Sequence, residues 1–85
     1  MAELIHEHSA RYLTDDGATY AVQTWGEARG DGTWEGWLEF RPLAGSGTEL
    51  LRTARETTQP NRDALAYWAS GLEPIYFEGA FARAS

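Results

Sequence analysis

Eighty-five residues, a formal net charge of −6, no Cys, and seven cations that are all Arg describe one small domain, 1–85, without disulfides or thiolate metal sites. A chain this short buries only about 60–65% of its unfolded surface, so its core needs bulk, which four Trp, four Tyr and three Phe can supply. Residues 1–50 hold nine acids against three Arg, and residues 51–85 four against four. The acidic half speaks against nucleic acid, whose phosphates require a net positive surface.

No run approaches the ~18 apolar residues of a membrane span, and Met1-Ala2-Glu3-Leu4 lacks the basic start of a signal peptide. The expectation is a cytoplasmic protein with no membrane partner. All-Arg cations together with much Ala and Gly suit a GC-rich bacterial genome.

Residues 1–9 read equally as a strand, a frayed helical turn or a flexible terminus. From Ala10 onward, Arg11–Thr14, then Asp15-Asp16-Gly17, then Ala18–Trp25 reads as strand, tight turn, strand, with Gly17 at the left-handed turn position. The second strand runs to about Ala28. A loop of Gly30-Asp31-Gly32, closed by Arg29 opposite Thr33, leads into Trp34-Glu35-Gly36-Trp37-Leu38-Glu39-Phe40, the strongest strand signal in the chain. This loop length fixes a register: Val22 opposite Phe40, Thr24 opposite Leu38, Trp25 opposite Trp37, Gly26 opposite Gly36. One face then carries Tyr20, Val22, Trp34, Leu38 and Phe40. The other carries Trp25 and Trp37 among Gln23, Glu27, Glu35, Glu39 and Arg41.

Pro42–Gly47 predicts a turn and Thr48–Thr57 a further strand. Pro60 opens a helix over residues 62–70 with Asn61 or Gln59 as its cap, Leu65, Trp68 and Leu72 on one face and Gly71 as a left-handed stop. After Pro74, Ile75–Gly79 has strand composition and Ala80–Ala84 looks helical, which predicts a short strand with a helical tail. The fold class is therefore α+β, an antiparallel meander of three or four strands with one main helix on one face and a short C-terminal strand or helix.

Few residues suggest chemistry. His6 and His8 would face the same way on a strand, a geometry that can start a metal site. With no third His and no Cys, they read as polar residues of a mobile terminus, and no metal or other cofactor is assigned. Glu27, Asp31, Glu35 and Glu39 lie near one another, but a hairpin surface offers no cleft for paired-acid catalysis, so they read as the solvated side of a strand. Ser9, Ser46, Ser70 and Ser85 lack a nucleophile's neighbours. The expectation is not an enzyme, with no small-molecule substrate. Arg52, Arg55 and Arg62 read either as an anion-binding edge or as caps and surface ion pairs.

Trp25 and Trp37 matter more. If the helix covers the Val22–Leu38–Phe40 face, the two indoles are left without a lid and form an apolar patch, unless the N-terminal segment or the tail around Phe77 and Phe81 covers them. Trp25, Trp37, Glu35, Glu39, Arg41 and Arg55 are the candidate partner-binding residues. On this division, Trp37→Ala weakens assembly more than folding, while Trp68→Ala costs roughly 3–5 kcal/mol of stability.

The order strand, strand, strand, helix, short strand over residues 18–79, with Gly32-Thr33-Trp34-Glu35-Gly36-Trp37-Leu38-Glu39-Phe40 in the middle strand, resembles HicB-like antitoxin domains. The resemblance implies a protein that masks a small basic toxin. The Pro-Gly-Cys segment expected after the middle strand has no counterpart, nor do appended DNA-binding helices. The main expectation is a non-catalytic protein–protein interaction module, self-associating as a homodimer through its aromatic face or a strand edge. The alternatives are the HicB-like role and a carbohydrate-binding module that stacks sugars on exposed Trp.

Overall fold

The computed structural model describes residues 1–43 and 49–85. Its architecture is α+β. β1 (Glu3–Leu13), β2 (Thr19–Ala28) and β3 (Trp34–Pro42) form an antiparallel meander, followed by β4 (Leu51–Arg52) and β5 (Thr57–Gln59), both paired to β3, then α1 (Arg62–Ser70) and α2 (Pro74–Arg83).

The β2–β3 register follows from the turn between them. Arg29 N–H donates to the Thr33 carbonyl at 2.7 Å and Gly32 sits at φ +88°, so Trp25 opposes Trp37, Val22 opposes Phe40 and Gly26 opposes Gly36, as the loop length predicts. The first turn is also as expected, with Gly17 at φ +92°. The N-terminal segment is strand almost from its start. β1 pairs with β2 from Glu3 to Leu13, with irregularities at Leu4/His6 and Glu7/Arg11.

Both helices lie on the face of Val22, Leu38 and Phe40, all three fully buried. α1 reaches it through Leu65, whose methyls lie where a Cβ on Gly26 or Gly36 would sit, 2.5 and 2.6 Å away. The two glycines form a trough for that side chain. α2 adds Phe77 and Ala80 to the core, with Phe81 packed against it. Asn61 caps α1 by accepting from the Ala64 N–H at 2.8 Å.

Four expectations are corrected. The segment 75–79 is helix, not strand: Pro74 starts α2, and Phe77, Ala80, Phe81 and Ala84 fall at i, i+3, i+4 and i+7 on its inner side. That period outweighs the strand preference of Ile, Tyr and Phe. The element order behind the resemblance to HicB-like domains departs at the same point. Gly71 has a right-handed φ of −93°, because the chain passes straight on into α2 instead of reversing. The strand expected over 48–57 is two short pieces, since four residues lie between Arg52 and Thr57 where two lie between their partners Glu39 and Gly36. Thr53 bridges the excess: its N–H donates to the Leu38 carbonyl and its hydroxyl accepts the Leu38 N–H. The beginning of that strand, and most of the Pro42–Gly47 turn including Ser46, lie outside the described residues. Finally, His8 belongs to the core, not to a mobile terminus. It is 5% exposed, and its Nε2 lies 2.8 Å from the Thr24 hydroxyl.

Candidate binding face

Strand alternation sends Gln23, Trp25 and Glu27 of β2, and Glu35, Trp37, Glu39 and Arg41 of β3, to the side opposite the helices. Among the described residues no helix lies over this side. β1 adds Leu4 opposite Trp25, Glu7 opposite Gln23 and Arg11 opposite Ala21, and β4 adds Arg52 opposite Glu39.

These side chains bind one another into a sheet-wide lattice. The Trp25 Nε1–H and the Arg41 Nε–H both donate to the Gln23 carbonyl oxygen, at 2.9 and 2.6 Å, while the Gln23 amide donates to Glu7 at 2.7 Å. Glu39 takes the Trp37 Nε1–H on one oxygen at 3.1 Å and an Arg41 N–H on the other at 2.9 Å. The guanidinium of Arg41 lies 5.4 Å from the Trp25 ring centre, and that of Arg52 lies 4.6 Å from the Trp37 ring centre, within cation–π range.

The lattice changes what the tryptophans present. Trp37 is 4% exposed and Glu39 6% exposed, so neither the open indole pair nor a solvated Glu39 holds. The Trp37 ring face is occupied by Arg52 and is not free to stack a sugar. Trp25 is half-buried and retains exposed ring, Glu35 and Arg41 are half-buried, and Arg55 is exposed between β4 and β5. The fold thus brings Trp25, Trp37, Glu35, Glu39 and Arg41 onto one surface and leaves Arg55 off the lattice. Gln23, on this face by register but not among the candidate partner-binding residues, and Arg52, expected at an arginine edge, are members of it. The signal for both is their pairing opposite Glu39, from β2 and from β4.

The three arginines read as one edge separate: Arg52 covers Trp37, Arg62 pairs with Glu3 at 2.8 Å, and Arg55 stands apart. A different polar cluster forms beneath α2. Glu56 accepts the Tyr76 hydroxyl at 2.5 Å and an Arg83 N–H at 2.6 Å. Burial pushes the Glu56 carboxyl up, but the bonds from Arg83 and Tyr76 and the Arg83 charge outweigh it and hold the group below the usual range. Burial, with Glu56 beside it, pushes the Tyr76 phenol up to about 12. This cluster ties α2 to the excess residues between β4 and β5.

Burial, with a smaller contribution from neighbouring His6 and against the opposing pull of Glu7, lowers His8 to about 4. His6 and His8 do share a side, with ring centres 4.6 Å apart. Among the described residues no three His, Asp or Glu side chains converge as a metal site, and no helix is long and apolar enough to cross a membrane. Comparison with protein-family models, with curated proteins and with solved structures finds nothing that matches this chain.

Proposed function

We propose that this chain is a non-catalytic protein–protein interaction domain of the bacterial cytoplasm, and that it self-associates through the sheet face opposite its helices. The observation supporting this reading is the order of charge along that face. Arg11 and Arg41 form a row at one end, the paired Glu7, Gln23, Glu39 and Arg52 the next, Leu4 and Trp25 an apolar row beyond it beside the Arg52-covered Trp37, and Glu27 with Glu35 the last row. Glu27 also meets the Met1 ammonium at 2.8 Å and Arg41 is paired with Glu39 at 2.9 Å, which leaves Glu35 and Arg11 as the open charges of their rows.

Two copies stacked face to face about a two-fold axis running across the strands set each arginine row on the other's acidic row. An axis along the strands sets arginine on arginine and acid on acid, a juxtaposition that costs free energy. The first arrangement is therefore the one proposed, with Trp25 near its centre as anchor. Amide shifts on dilution test it: changes centred on Gln23, Trp25 and Glu35 support it, and spectra invariant with concentration refute it.

A further inference from the structure

A second surface lies along the outer edge of β1. β1 ends the sheet order, and apart from its ladder with β2 its backbone makes no hydrogen bond with other described backbone groups. Two cavities of about 290 and 260 Å³ open beside this edge, and both are walled by Pro74 and Phe77 of α2. Their remaining described walls come from β1, the turn after it and the ends of the helices, with no β2 or β3 residue in either. They form one groove between an unpaired strand edge and the start of α2.

The walls of the two cavities differ. The smaller is bounded by His6, His8, Ala10 and Leu72 beside Phe77. Its His8 ring stands edge-on to Phe77 at 4.9 Å, and Ala10 and Leu72 are apolar. The larger sets Asp15 and Glu78 against a single Arg11, beside Tyr12. Each volume lies below or at the foot of the ~300–1,000 Å³ of small-molecule sites, and is the scale of one large side chain.

We infer that the β1 edge takes up an extended segment of another protein as an added strand, with an apolar side chain in the His8–Leu72–Phe77 cavity and a basic one in the Asp15–Glu78 cavity. The backbone edge dictates an extended ligand, because unpaired strand groups are met in full only by another strand. Both anchors must point toward the helices, so they stand an even number of residues apart. The excess of acid over Arg11 selects the basic anchor. The irregularities in β1 select against a second copy of the chain: bulges break the flat edge that self-pairing needs, whereas side-chain anchors can hold a peptide across them. Arg11 borders both surfaces, but neither cavity includes Gln23, Trp25 or Glu35, so the proposal stands or falls independently of self-association.

The test uses the intact chain and a displayed library of random peptides ~10 residues long. Enriched sequences are expected to pair an apolar residue with Lys or Arg at even separation, and a synthetic peptide of that kind to shift the amides of His6–Leu13 while leaving Trp25 and Glu35 in place. N-methylation of its edge-facing amides is expected to weaken binding at least about tenfold. Glu78→Arg, at an exposed site outside the core, is expected to remove the preference for the basic residue. No enrichment, equal binding of the N-methylated peptide, or shifts centred on the Trp25 face would overturn the inference. So would shifts on dilution without peptide that centre on His6–Leu13 and spare Gln23, Trp25 and Glu35, which would identify a second copy as the occupant of the edge.

Discussion

His8 shows how one residue ties this fold to pH. Its folded pKa of about 4 lies below its ordinary 6.5. Above pH 6.5 neither the folded nor the unfolded chain protonates it, and its full contribution to stability stands. Between 6.5 and about 4 the unfolded chain takes a proton that the folded chain refuses, so stability falls, by up to about 3 kcal/mol, and then levels off. Glu56, held below its ordinary 4.5, adds a further loss as pH drops through the carboxylate range. Urea unfolding between about pH 7 and about pH 4.5 should give a steep slope for the native chain and a flatter one for His8→Gln. Parallel slopes would remove His8 from the explanation. Alternation places His6 and His8 on one side if residues 1–9 are a strand. Nothing local shows that this side faces the core, because that depends on α2, whose first residues have strand composition.

Burial reverses the roles expected of Trp37 and Trp68. Trp37, sealed by Arg52 and bonded to Glu39, is structural as much as it is surface, so Trp37→Ala should cost fold stability. Trp68 is only half-buried, edge-on to Tyr76 at 5.9 Å, so its truncation should cost less than the roughly 3–5 kcal/mol of a fully buried indole. Chemical denaturation of both variants should rank Trp37→Ala as the more destabilising. The reverse order would restore the original division.

At the scale of elements, α1 is fixed by what β2 and β3 lack. The register made the Gly26–Gly36 pair legible, but not its purpose, since nothing in a strand's own sequence tells which side chain arrives from a distant helix. A Cβ on Gly26 would meet the Leu65 methyl at 2.5 Å and the Glu35 carbonyl oxygen at 3.0 Å, whereas one on Gly36 would meet chiefly Leu65 at 2.6 Å. Gly26→Ala should therefore destabilise by about 1–3 kcal/mol and Gly36→Ala by less. The Gly36→Ala penalty should shrink in a Leu65→Ala background. Additive penalties in that double-mutant cycle would dissociate the glycines from Leu65.

α2 depends on a different fastening. Glu56 holds Tyr76 and Arg83, and Ser85 exchanges two backbone bonds with Arg52 at 3.1 and 3.2 Å. Tyr76→Phe and Arg83→Ala should each cost about 1 kcal/mol and combine sub-additively, because both act through one carboxylate. Faster amide exchange in residues 74–83 would accompany that loss, and unchanged exchange would show that α2 is held by Phe77 and Ala80 alone. The Arg83–Glu56 pairing spans 27 residues, and the chain offered no pattern that points from one to the other.

The whole molecule is a ribbon more than a sphere. Its extents are 41 × 23 × 19 Å and its radius of gyration is 12.9 Å, against about 12 Å for a compact chain of this length. Two helices totalling nineteen residues cover one side of the sheet, and the side bearing Trp25 has no helix among the described residues to cover it. The hairpin register and the division of its faces are legible in the sequence, because turn length and strand alternation decide them locally, and the start of α1 is legible to within Gln59 or Asn61 as its cap. The arginine cladding of the indoles was not, because it joins strands through side chains whose reach the strand pattern does not specify.

Sedimentation equilibrium from about 1 μM to about 1 mM bears most directly on self-association. The native chain should rise from 9.5 kDa toward twice that mass. Trp25→Ala and Glu35→Arg should each shift the midpoint at least about tenfold higher while keeping the native circular dichroism, and Ser9→Pro on the β1 edge should leave the midpoint unchanged. A mass that stays at 9.5 kDa throughout, or a dimer insensitive to both face variants, would contradict assembly through the Trp25 face.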